Sequence, residues 1–119
     1  MPLNSRGLNN PQAISRFSLH SQNPGLGLTP AAGELTGAPY TRQNGLFGSY
    51  NNGVAKLNNN VVFSLSTSTN QNVQFVGLWN SSNEYLGYVI PSTPYNFTEP
   101  SSSRTFTLSN NSEIVISNA

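Results

Sequence analysis

From residue 60 onward, apolar residues fall at every second position in short runs separated by polar turns. Residues 60–66 place Val61, Phe63 and Leu65 on one face, the period of a half-buried strand. Residues 73–79 put Val73, Phe75 and Trp79 on one face and Val76 and Leu78 on the other, so this strand reads as central or covered. Thr69-Asn70-Gln71-Asn72 before it and Asn80-Ser81-Ser82-Asn83 after it carry turn chemistry, and residues 85–90 return as a hairpin partner. Pro91, Pro94 and Pro100 mark a loop. Residues 104–109 then alternate with Phe106 and Leu108 inward, and Asn110-Asn111-Ser112 turns the chain into a last strand over 113–117. Residues 45–57 add one or two edge strands. Short strands at this spacing predict an all-β domain, a small antiparallel β-sandwich or barrel of jelly-roll type. Its expected core is Val61, Phe63, Leu65, Val73, Phe75, Trp79, Leu86, Phe106, Leu108, Ile114 and Ile116.

Residues 1–45 read differently. Pro2, Pro11, Pro24, Pro30 and Pro39 alternate with Gly7, Gly25, Gly27, Gly33, Gly37 and Gly45, and repeated Pro and Gly break helix and ladder alike. One apolar alternation survives, Arg16-Phe17-Ser18-Leu19-His20, enough for a single strand; residues 8–14 can make a turn of helix with Pro11 at a first helical position. So long a stretch without regular structure is unusual inside a compact domain. The expectation is therefore two parts: an extended Pro/Gly-rich arm with one short strand over 1–45, and an antiparallel β-domain over 46–119. An arm of this kind gains order by lying on a partner, with Leu3, Leu8 and Ile14 as apolar anchors and Arg6 and Arg16 pairing with acidic groups there. Removing residues 1–15 is then expected to leave the β-domain folded.

Composition narrows the function. Only 8% of residues are charged and 35% hydrophobic, against about 25% charged in ordinary domains; Asn, Ser, Thr and Gln fill the gap. The five basic residues, Arg6, Arg16, Arg42, Lys56 and Arg104, are spread along the chain at a net charge of +1. Nucleic-acid binders concentrate Lys and Arg, so a nucleic-acid partner is not expected, nor is an anionic membrane. No stretch approaches the ~18 apolar residues of a spanning helix, and the first residues lack a signal-type apolar run, so synthesis in a cytoplasm is expected.

The chemical inventory is thin. There is one His, four Glu (Glu34, Glu84, Glu99, Glu113), no Asp and no Cys. A Ser–His–carboxylate arrangement is formally possible, but His20 sits in a strand and no motif surrounds any Glu; the structural reading is a half-buried imidazole paired with backbone. Catalytic residues, cofactors and metals are not expected. Tyr95 and Phe97, in a proline-bounded loop, are candidates for contact with a sugar or a protein.

Two stretches carry a family resemblance. Phe17-Ser18-Leu19-His20-Ser21-Gln22-Asn23-Pro24-Gly25, followed by Gly33-Glu34-Leu35-Thr36-Gly37-Ala38-Pro39-Tyr40-Thr41-Arg42-Gln43, resembles a pattern recurring in small virion proteins of tailed bacteriophages. So does Val73-Gln74-Phe75-Val76-Gly77-Leu78-Trp79-Asn80 with Tyr85-Leu86-Gly87-Tyr88, and Thr105-Phe106-Thr107-Leu108 and Glu113-Ile114-Val115-Ile116 follow in family order. The N-terminal helix of that family is shortened here to residues 7–14 and interrupted by Pro11. The resemblance implies a non-enzymatic virion part, variously described as capsid decoration, tail-fibre or minor tail protein. The expected function is a capsid cement protein on the outer surface of the virion, binding the major capsid protein as a homotrimer; a tail-fibre or minor tail protein is the alternative.

Overall fold

The computed structural model describes residues 3–9, 14–30, 33–51, 54–67, 70–91, 94–98, 103–108 and 113–115, with backbone alone at 47–51, 54–56 and 113–115. Among the described residues one short helix, α1 (Ser5–Asn9), precedes eleven strands: β1 (Arg16–His20), β2 (Gln43–Asn44), β3 (Phe47–Asn51), β4 (Val54–Leu57), β5 (Val61–Leu65), β6 (Gln71–Val73), β7 (Phe75–Trp79), β8 (Tyr85–Val89), β9 (Tyr95–Phe97), β10 (Arg104–Leu108) and β11 (Glu113–Val115). They form four antiparallel sheets, ordered β2-β1-β7-β8, β10-β5, β11-β4-β3 and β6-β9. The all-β antiparallel class expected from the alternation is what the chain adopts.

β7 lies between β1 and β8, and this explains why its residues are apolar on both faces. Its register with β1 pairs Phe17 with Leu78 and Leu19 with Val76, so these four buried side chains share the inner face. They pack in one cluster with Val61, Phe63 and Leu65 of β5, Val73 of β6 and Phe106 of β10. The opposite face of the same register carries Ser18 beside Gly77 and Arg16 beside Trp79. The β7–β8 hairpin turns through Asn83, which takes a positive φ of 61°, a conformation Asn tolerates better than most residues. The Asn80 side chain closes the turn, accepting from the Ser82 and Glu84 backbone N–H groups.

Three expectations need correcting. The described residues before 45 do not stand apart as an arm. β1 is an inner strand of the main sheet, and Leu3 and Ile14 are each only 1% exposed within the chain's own core. α1 packs on β8, where Asn4 N–H donates to Leu86 O and the Asn4 side chain to Tyr85 O and Gly27 O. Gly7 permits that contact, since a Cβ there would overlap the Leu86 carbonyl. Backbone groups of Asn4, Ser15 and Leu35 in this segment are met by the sheet, at Leu86 O, Trp79 O and Leu19 O. Second, Gln71 and Asn72, expected in a turn, form with Val73 a short strand paired to Tyr95–Phe97, which was expected in a loop; three-residue strands carry too little periodicity to be seen. Third, Phe75 is half-buried, edge-on to Tyr88 at 5.6 Å, and does not join the core. The side chain of Ile114, and Ile116 altogether, lie outside the described residues.

Candidate functional site

Beside β1 the ladder is completed by side chains. β2 covers Arg16 and Phe17, and Leu35 N–H reaches Leu19 O. Between them the Tyr40 hydroxyl accepts the Leu19 N–H at 2.9 Å, standing where a strand carbonyl would be. That hydroxyl donates to Glu34 Oε2 at 2.9 Å, and Glu34 receives two further bonds from Arg42, Nε to Oε2 at 3.0 Å and an NH2 nitrogen to Oε1 at 2.9 Å. Burial alone would raise the Glu34 pKa, but the bonds from Arg42 and Tyr40 hold it below the usual carboxylate value. Burial pushes the Tyr40 hydroxyl pKa far up, so it stays a donor.

The face of the sheet across from the core carries the serine and the histidine. Ser18 Oγ lies 2.7 Å from His20 Nε2 and accepts the Trp79 indole N–H at 2.8 Å. Gly77 makes room for the group: a Cβ there would overlap Ser18 Oγ and come within 2.8 Å of His20 Nε2. Serine, histidine and a carboxylate are therefore neighbours. Ser18 and His20 are fully buried, however, so neither the hydroxyl nor the imidazole is open to a substrate as the cluster stands. Desolvation lowers the His20 pKa, against a smaller opposing pull from Glu34, which keeps the ring neutral. The expected half-buried imidazole bonded to backbone is thus corrected: the ring is wholly buried and bonded to a side chain. Among the described residues no group of three or more His, Cys, Asp or Glu gathers as a metal site, and no helix is long and apolar enough to cross a membrane.

At the rim of this network three arginines converge on the β7–β8 turn. Arg42, stacked 3.7 Å from the Trp79 ring centre, donates to Asn83 Oδ1 at 2.9 Å. Arg16 donates to the same oxygen at 3.2 Å and to Asn44 Oδ1 at 3.1 Å. Arg6 donates to Tyr85 O at 3.0 Å and lies 3.8 Å from Glu84.

Of the other expected contact residues, Leu3 and Ile14 are core and unable to anchor a partner while the chain is folded. Leu8 is 40% exposed and stands with Leu28, 52% exposed, in an open groove also lined by Ser5, Arg6 and Asn9. Tyr95, 56% exposed, and the half-buried Phe97 touch at 4.5 Å between ring centres, beside Thr105 and Thr107 of β10. The pairing of Glu34 with Arg42, the meeting of Arg16 and Arg42 at Asn83 and the closeness of Leu8 to Leu28 leave no mark in the sequence, because side chains far apart in the chain carry no spacing signal. Gly77 inside an apolar strand was the one available sign of a close approach. No family model, curated protein or solved structure matches the chain.

Proposed function

We propose that the chain is a structural protein that works by binding another protein surface, as a cement protein that caps an assembled bacteriophage capsid lattice and stabilises the head. The observation that carries this reading is the Leu8–Leu28 groove. Two large apolar side chains stand exposed together on a small β-body whose serine–histidine pair, Ser18 and His20, is fully buried. Adjacent exposed apolar groups with a polar rim suit protein contact. The virion assignment rests on the order of motifs in the sequence. Many modest interfaces repeated over a lattice then add up by mass action, and a homotrimer at three-fold positions is the proposed form.

Sedimentation of the purified protein with undecorated capsid shells, and separately with unassembled capsid protein, tests this. Binding to shells alone, in hundreds of copies, and weakened by Leu28→Ser without loss of fold, is the expected result. Binding to neither form rejects it. The Tyr95–Phe97 pair beside two threonine hydroxyls favours a second reading, a tail-fibre or minor tail protein touching host glycans; a handful of copies per particle would select it.

A further inference from the structure

We infer that Arg16 and Arg42, meeting at Asn83, form a preorganised seat for a carboxylate of a protein partner. The chain has five basic and four acidic residues, yet Arg6, Arg16, Arg42, Glu34 and Glu84 all gather around one hairpin turn. Glu34 is held by Arg42, and Glu84 lies against Arg6 and bonds the Asn80 side chain. Among the described residues Arg16 meets no carboxylate; both its side-chain bonds go to neutral amide oxygens. Two guanidiniums therefore share one neutral acceptor on an exposed turn, and one positive charge is left over.

Both cations are fixed before anything binds. Arg42 is clamped by two bonds to Glu34 and by the Trp79 ring, and Arg16 by Asn44. Ordering them therefore adds little to the cost of association. A carboxylate accepts charge-assisted bonds stronger than those Asn83 Oδ1 receives, and its planar fork matches guanidinium donors. The single uncompensated charge suits a monovalent group better than a phosphate. Arg6 connects the seat to the Leu8–Leu28 groove, because it lines that groove and also bonds Leu28 O and Tyr85 O. A partner offering an acidic side chain next to apolar ones would cover both. The source of the carboxylate rests on the protein-binding reading above; the seat itself does not.

The test follows the arginine Nε–H signals of the full chain by NMR, with acetyl-triglutamate amide as probe and acetyl-triglutamine amide and inorganic phosphate as comparisons. Saturating shifts at Arg16 and Arg42 with triglutamate alone, suppressed by salt, are expected. Arg16→Gln should weaken binding about two- to fivefold, as loss of an exposed ion pair does, and Arg16→Glu should abolish it, with the backbone spectrum of each variant confirming the fold. Equal shifts with triglutamine, no shifts, or binding of phosphate in preference to triglutamate would each overturn the seat. Shell sedimentation separates the two readings. If triglutamate binds and the wild type ignores shells, the cement function falls and the seat stands. If Arg16→Glu coats shells as the wild type does, its role in docking is overturned.

Discussion

Arg42 lies 3.7 Å from the centre of the Trp79 ring while its opposite edge makes a two-point bond with Glu34. One side chain thereby ties the segment after Tyr40, the end of β7 and the residues bonded beside β1. Trp79 in turn donates to Ser18 on β1, so the link continues through the sheet.

Arg42→Met should destabilise the fold by about 1–3 kcal/mol, because it leaves the Glu34 carboxylate half-buried with Tyr40 as its remaining donor. Denaturant unfolding measures this, and emission from the single tryptophan, Trp79, should change with loss of the stacked cation. Adding Glu34→Gln should recover part of the loss, since the uncompensated charge goes with it. A double mutant no more stable than the single would show that packing of the arginine stem is what matters.

Gly77→Ala should lower stability by about 1–3 kcal/mol, as overpacking a filled site does. The new methyl group would overlap Ser18 Oγ and crowd His20, and neither can move without breaking the bond between them or the one from Trp79. Pairing it with Ser18→Gly, which removes the hydroxymethyl group, should restore part of the loss. Unchanged melting of Gly77→Ala would mean that the two strands have slack at this pair.

What the sequence made legible follows from how local each signal is. Val61, Phe63 and Leu65 alternate over one strand, and they are buried as their spacing required. The β7–β8 hairpin was visible because a run of turn residues separates two apolar runs. Leu3 and Ile14 misled, because isolated apolar residues among prolines and glycines look the same whether they meet a partner or their own core. Only the long-range contacts of Asn4 and Gly7 with β8 decide between the two, and no periodicity reports those. The same holds for the arginine cluster: Arg16 and Asn83 are separated by 67 positions. Nothing in the spacing around Tyr40 shows that its hydroxyl serves as a ladder acceptor for Leu19 N–H, a contact across 21 positions.

Stability should fall as the solution is acidified below about pH 6.5. Burial lowers the His20 pKa from 6.5, while the unfolded chain keeps the ordinary value, so the unfolded state binds the proton first. The stabilisation is complete above pH 6.5 and is lost as pH falls through the lowered folded pKa, by up to ~1.4 kcal/mol per pH unit, the limit for one proton. Glu34 partly opposes the shift and Arg42 adds to it. Glu34 has its own pKa lowered from 4.5, so its contribution is lost only at lower pH. With one histidine in the chain, His20→Gln should flatten the dependence between pH 6.5 and 4.5. An equally steep slope in that variant would assign the titration elsewhere.

Removing residues 1–9 should destabilise the whole β-domain, where an arm lying on a partner would leave it intact. The segment places Leu3, 1% exposed, in the core, and the transfer and cavity terms for such a side chain come to about 2–5 kcal/mol. It also takes away the Asn4 N–H that meets Leu86 O and the Asn4 amide that meets Tyr85 O and Gly27 O. The Leu86 and Tyr85 carbonyls would lose partners at one edge of the main sheet, next to the hairpin that carries Asn83. Deletion therefore weakens β8 first and the arginine-rich turn with it. Thermal unfolding followed by circular dichroism and by Trp79 emission should show a lower midpoint for the truncated chain. Leu3→Ala should reproduce much of the effect with the chain length unchanged. Leu8→Ala, on the same short helix but 40% exposed, should stay within about 0.5 kcal/mol of the wild type, as surface substitutions do. If truncation leaves the midpoint unchanged while Leu8→Ala weakens binding to a partner, the N-terminal segment is an arm after all, and its packing against β8 contributes nothing to the fold.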